Sequence, residues 1–207
     1  MRAAMPLELL AAFLGFAFVT SITPGPNNMM LLASGVNFGV RRTLPHMLGI
    51  SIGFLLLVVA VGLGLDQLFH AFPLTYQVLR YLGAAYLLYL AWGIARAGAP
   101  QANGRGTGKP FSFLQAAAFQ WVNPKAWIMA IGAITTYTPQ QGFAGNVLLI
   151  AVLFAVVNLP SVGVWTVLGS FLRHWLEQPA RRRAFNIGMA LLLVASLYPL
   201  FVDIAPA

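Results

Sequence analysis

Six long apolar stretches, at approximately 8–33, 44–65, 74–95, 112–136, 145–171 and 184–203, are separated along this chain by short polar or glycine- and proline-rich breaks. Each supplies the ~20 mainly apolar residues a helix needs to cross a bilayer. The pattern predicts an all-α integral membrane protein with six transmembrane helices. Within 207 residues it leaves no room for a soluble domain. Two of the stretches are interrupted in the same way. In the first, Phe13-Leu14 leads through Ala17 to Thr23-Pro24-Gly25-Pro26-Asn27-Asn28 and Met29; in the fourth, Phe113-Leu114 leads through Ala117 to Asn123-Pro124-Lys125 and Met129. At an offset of 100, Phe13/Phe113, Leu14/Leu114, Ala17/Ala117, Pro24/Pro124 and Met29/Met129 coincide. Proline lacks an N–H and collides with the preceding turn, so both helices should break there. Broken backbone inside lipid is tolerable only where it is buried or lines a cavity. Matching breaks in two halves point to a transporter's binding site.

The likeness extends further. Leu82-Gly83-Ala84-Ala85-Tyr86-Leu87-Leu88 in the third stretch resembles Ile187-Gly188-Met189-Ala190-Leu191-Leu192-Leu193 in the sixth, at an offset of 105. Residues 1–207 then form a single transporter domain. Its first repeat covers about 8–95, a flexible cytoplasmic linker about 96–111, and its second repeat about 112–203. Three spans per half is odd, so the second copy enters from the opposite face, giving two inverted three-helix repeats with helices one and four broken at Pro. Leu and Ala matches between apolar helices arise cheaply by chance; paired proline breaks do so less readily.

Composition agrees: 59% of residues are hydrophobic and 8% charged, against roughly 25% charged in soluble domains. The net charge of +8 is informative through its distribution. Sorting the connections by alternate sides places Arg41, Arg42, Arg96, Arg105, Lys109, Arg173, Arg181, Arg182 and Arg183 together; the other side holds Arg2, beside Glu8, Asp66 and Asp203. Basic loops resist translocation. The connections 34–43, 96–111 and 172–183 should therefore face the cytoplasm and both termini the outside. The basic excess labels topology, and nucleic acid is not an expected partner. The Arg181-Arg182-Arg183 run reads as an anchor that also touches anionic membrane lipid. No cleaved leader is expected, because no small-x-small site follows the first apolar core.

Several chemistries are excluded. The chain has no cysteine, so neither disulfides nor thiolate metal sites are available. Glu8, Asp66, Glu177 and Asp203 fall at span ends, and His46, His70 and His174 are scattered, which leaves no catalytic constellation and predicts no enzyme and no cofactor. Gly104-Arg105-Gly106-Thr107-Gly108-Lys109 lacks the spacing and preceding strand of a phosphate loop.

The candidate site consists of Pro24, Gly25, Pro26, Asn27, Asn28, Asn123, Pro124, Lys125 and Asn158. A half-helix beginning after Pro26 would offer free N–H groups and a partial positive charge to a carboxylate; the plainer reading is a packing kink. Lys125 lies mid-span, where a charge costs at least ~3 kcal/mol. It either pairs with a substrate carboxylate, carries a proton, or snorkels to the interface. His46, at the start of the second span, is the other proton-coupling candidate, or an ordinary interfacial residue. Asn158-Leu159-Pro160 should break the fifth span and set an amide beside the cavity, or merely kink it. Arg80 should snorkel outward. Gly49 and Gly53, four apart, predict a close helix–helix contact. Trp92, Tyr137, Trp175 and Tyr198 read as interfacial belt residues.

Thr23-Pro24-Gly25-Pro26-Asn27-Asn28, Gly39-Val40-Arg41-Arg42, the Gly49–Gly53 stretch and Phe119-Gln120-Trp121-Val122-Asn123-Pro124-Lys125 together resemble the LysE family of amino-acid exporters, in its homoserine/threonine and cysteine/O-acetylserine branch. The resemblance runs from about residue 8 to 200. It implies a multi-pass protein of the bacterial inner membrane that exports small zwitterionic amino acids or derivatives, coupled to the proton motive force. It fixes neither the amino acid nor the oligomeric state, a homo-oligomer included. From the residues alone, a channel or carrier for a small inorganic ion would use the same broken helices.

Overall fold

The computed structural model describes residues 5–64, 73–97 and 109–198. Expectations that fall on Arg2, Asp66, His70, Arg105, Asp203 and most of the 96–111 linker lie outside the described residues, as does the side chain of Arg80. The described elements are eight helices: α1 (Leu7–Ile22), α2 (Pro26–Phe38), α3 (Val40–Gly62), α4 (Pro73–Ala95), α5 (Phe113–Gln120), α6 (Pro124–Tyr137), α7 (Phe143–Trp175) and α8 (Pro179–Ala195).

Both predicted breaks are present. Helix α1 ends at Ile22, and α2 starts with Pro26 in its first turn after an extended Gly25, the two axes differing by 54°. Helix α5 ends at Gln120 and α6 starts with Pro124 in its first turn after Asn123. Proline opens each second half-helix because its missing N–H is one that the first turn leaves unpaired anyway.

Two helices, α3 and α7, are long and apolar enough to cross a bilayer, with mean hydropathies of 2.3 and 2.5 in their most apolar windows; α1 and α2 make a third span if the bent pair counts as one. Of the other expected spans, the third is α4, 23 residues long, whose apolar part counted among the described residues is Tyr81–Ala95. The broken fourth stretch divides into 8 and 14 residues, and α8 has 17 with Arg181–Arg183 among its first residues.

Three sequence boundaries need correction. The segment 34–43 is not a loop: α2 continues to Phe38 and α3 starts at Val40, joined at Gly39 with φ 77°. That φ lies where only glycine sits without strain. Ser34, Asn37 and Thr43, polar enough to suggest a connection, are instead buried, and Ser34 and Thr43 share a 2.8 Å hydroxyl bond. Second, α7 passes through Pro160 as one helix of 33 residues, about 50 Å long. Packing on several neighbours holds it through the proline, and Ser161 donates to the Val157 carbonyl at 2.7 Å. Third, Arg182 is not a surface anchor. It is 6% exposed, and its Nε donates to the Leu176 carbonyl at the end of α7 at 3.0 Å.

The middle of the molecule is α7, which packs on α1, α2 and α3, while α3 also holds α5 and α6, and α4 pairs with α8. Close approach depends on small residues, since lipid supplies no hydrophobic force between helices. A Cβ on Gly35 or Gly169 would run into the backbone of Thr166 or Leu32 across the α2–α7 contact. Gly49 and Gly53 lie in the same way against Phe113 and Ala117 of α5, the contact their spacing predicts. One core gathers around Phe154, which meets Phe13 and Phe54 edge-on at 5.5 and 4.7 Å. A second lies between α4 and α8 around Leu87, Leu90 and Leu193, closed from the centre by Met30 and Phe119.

Candidate functional site

The two breaks face each other across the centre of the bundle. A helix that ends inside a membrane protein leaves its last carbonyls without partners, and hydrocarbon cannot satisfy them. At the end of α1 side chains do. Asn28 Nδ2 donates to the Ser21 and Thr23 carbonyls at 3.0 and 2.7 Å, and Trp165 Nε1 to the Ile22 carbonyl at 3.0 Å. Lys125 reaches over from the second break. Its Nζ donates to the Thr23 carbonyl at 2.7 Å, to Thr23 Oγ1 at 3.0 Å and to the Pro24 carbonyl at 3.4 Å. A cation here also meets the negative end of the α1 dipole. Gly25 makes the crossing possible, because a Cβ on it would lie 2.8 Å from Lys125 Cδ and 3.1 Å from Nζ.

Amides close the remaining sides. Asn27 and Gln120 exchange hydrogen bonds of 2.8 and 3.1 Å, joining α2 to α5, and Gln120 also donates to the Ala116 carbonyl at 2.9 Å. Asn158 links three helices: its Nδ2 donates to Ser21 Oγ at 3.2 Å, and its Oδ1 accepts from Ser51 Oγ at 3.1 Å. Asn123 caps α6, its Oδ1 accepting the Lys125 backbone N–H at 3.1 Å. No side chain caps α2.

These groups line one pocket. Thr20, Ser21, Asn27, Asn28, Gln120, Asn123, Lys125 and Asn158 form its polar walls, Gly25 and Pro26 its rim, and Phe54, Ala126, Met129 and Val162 an apolar floor. Its lining holds one cation and no carboxylate. The internal volume is about 20 Å³, room for about one water. The Lys125 side chain is among the groups that fill it.

Of the residues singled out from the sequence, Gly25, Pro26, Asn27, Asn28, Asn123, Lys125 and Asn158 line the pocket. Pro24 adds a carbonyl acceptor from the exposed side, and Pro124 opens α6 without facing the cavity. The side-chain amides of Asn27 and Asn28 are both engaged: the first is paired with Gln120, the second caps α1. His46 does not join the site. It is fully buried, edge-on to Phe111 at 5.2 Å, with no hydrogen-bond partner at either ring nitrogen. Sequence reasoning missed Ser21 and Gln120 as pocket groups, and Ser51, which holds Asn158 from behind. Gln120 left a signal, being an amide one turn before a proline break.

This geometry is set in a chain with known relatives. The profile of the family described as LysE type translocator matches residues 18–197. The chain belongs to that family. It is therefore a membrane transporter and not an enzyme. It is 32% identical to the cysteine/O-acetylserine efflux protein of Escherichia coli (strain K12) over 191 residues, 92% of this chain and 96% of the relative. The proteins of the same name from Shigella sonnei (strain Ss046) and Shigella flexneri serotype 5b (strain 8401) are 32% and 33% identical over 92% and 90% of this chain, and 96% and 94% of the relatives. No solved structure matches the chain significantly.

Proposed function

We propose that this protein is a secondary exporter of small, neutral, zwitterionic amino acids or their derivatives, of the cysteine/O-acetylserine type, with the pocket between the two helix breaks as its substrate site. The observation that carries the reading is the Lys125 ammonium on the Thr23 and Pro24 carbonyls. An amino acid brings both an ammonium and a carboxylate. When its carboxylate draws Lys125 away, toward the uncapped start of α2, the vacated carbonyls accept its ammonium. One cation replaces the other, and α1 never ends unsatisfied. The substrate's side chain would then meet Phe54, Met129 and Val162. A lining without a carboxylate gives no partner to a second ammonium, so basic amino acids should be poor substrates.

Export is driven by protons in this reading. Lys125 is the coupling candidate inside the pocket and buried, unpartnered His46 the one outside it. Membrane lipid surrounds the protein, which sits in the bacterial inner membrane with both termini outside, following the distribution of its arginines. The pairing of α3 with α7 and of α4 with α8 supports two inverted repeats, since each contact joins corresponding helices of the two halves.

Counterflow of radiolabelled cysteine or O-acetylserine into proteoliposomes tests the reading. Lys125→Ala should lower the initial rate at least tenfold while reaching the membrane in normal amount. Wild-type counterflow by Lys125→Ala would remove the lysine from the site. Chloride currents without any amino-acid counterflow would point to an ion path instead.

A further inference from the structure

We propose that the outer face between α3 and α7 is a binding site for one anionic phospholipid. A groove of about 490 Å³ lies there, lined by Met47 of α3 and by Pro160, Gly163, Val164, Val167, Leu168 and Phe171 of α7. Its walls are wholly apolar. Gly163 gives it depth, since a Cβ there would already lie 3.2 Å from Met47 Cε. From Pro160 to Phe171 the stripe rises roughly 16 Å along the helix, close to the ~15 Å depth of one leaflet's hydrocarbon. An acyl chain lying along it would meet apolar side chains on one side for its whole length.

Charge fixes the headgroup. The Phe171 end of the groove coincides with the end of α7 and the start of α3, because the Arg173 guanidinium lies beside Gly39 at the α2–α3 corner. Arg41 is exposed six residues before Met47 on α3, and Arg181 lies over the ring of Trp175, one turn beyond Phe171, at 5.5 Å. Glu177 is the one acid at this end among the described residues. The Pro160 end, exposed at mid-helix, offers no charge. An apolar trough of leaflet depth that opens among several guanidinium groups matches a lipid with a phosphate headgroup of net negative charge, and does not match a zwitterionic one as well.

The chain has no cysteine, so Val167→Cys carries a single bimane label in the groove of the full-length protein. The label is read in nanodiscs of phosphatidylcholine containing a small fraction of doxyl-chain phosphatidylglycerol or, separately, doxyl-chain phosphatidylethanolamine. Quenching should be several-fold stronger with phosphatidylglycerol. Arg41→Gln and Arg173→Gln should each reduce that preference by about fivefold, and soluble glycerol phosphate should not compete, because it lacks the chain. Equal quenching by both lipids, or a preference untouched by the arginine variants, overturns the site. So does efficient oxidative cross-linking of Val167→Cys between two copies, which would make the groove a dimer interface. If the arginine variants do not fold, Val164→Trp, which fills the trough and leaves the charges, should abolish the preference instead.

Discussion

Gln120 shows how a membrane protein uses an amide it cannot hydrate. It is fully buried, and its exchange of hydrogen bonds with Asn27 ties the first break to the second. Interhelical hydrogen bonds in bilayers are worth about 0.6 kcal/mol on average and rarely above 1.7, so the pair by itself is not a large source of stability. Removing one partner is worse than removing both, because the survivor is left without a partner in a dry interior. Gln120→Leu and Asn27→Leu should each lower the thermal stability of the solubilised protein, and the double variant should lose less than their sum. A coupling of about 1 kcal/mol is expected from the full cycle; strictly additive losses would mean the amides act independently. The pocket residues that the sequence exposed most clearly were those placed beside prolines. Ser21 and Ser51 were hidden because a serine in an apolar helix commonly bonds its own backbone, and only the arrival of Asn158 from a third helix gives these two a shared purpose.

Among the elements, α7 decides the architecture. It is the longest helix among the described residues, it passes through Pro160 unbroken, and α1, α2 and α3 lie on it. Its closest approach, to α2, depends on Gly169 and Gly35, whose missing Cβ atoms leave room for opposing backbone. A methyl group there cannot be accommodated by a rotamer change. Gly169→Ala should cost about 3 kcal/mol, the upper range for overpacking, seen as a fall in the melting temperature and in the amount of protein in the membrane. Gly15→Ala and Gly188→Ala, where an added Cβ meets nothing within 4 Å, should leave both unchanged. If Gly169→Ala behaved like those two, the α2–α7 contact would be looser than described. The break in α1 was legible from Pro24-Gly25-Pro26 because two prolines and a glycine admit no continuous helix. Pro160 was misleading for the opposite reason: one proline costs a helix one hydrogen bond, and tertiary packing outweighs it.

At the scale of the whole molecule, charge and shape answer different questions. The arginines at 41, 42, 96, 173, 181, 182 and 183 predict which side each connection faces. Single cysteines placed at Lys109 and Glu8, in a chain that has none, should react with a membrane-impermeant maleimide only from the cytoplasmic and outer sides respectively; labelling of both from one side would refute the orientation.

Hydropathy and the paired prolines were enough to determine that this chain enters a membrane, that two of its segments break there, and that a lysine follows the second break. Those conclusions rest on costs each residue incurs wherever the chain goes: apolar surface in water, a charge in lipid, a proline in a helix. Tertiary structure alone decided which groups answer which. It brought Lys125 to the carbonyls of Thr23 and Pro24, matched Asn27 with Gln120, gathered these groups around one pocket, and kept His46 out of it. A hydrogen bond between residues a hundred positions apart depends on how helices cross, and no local preference encodes that crossing.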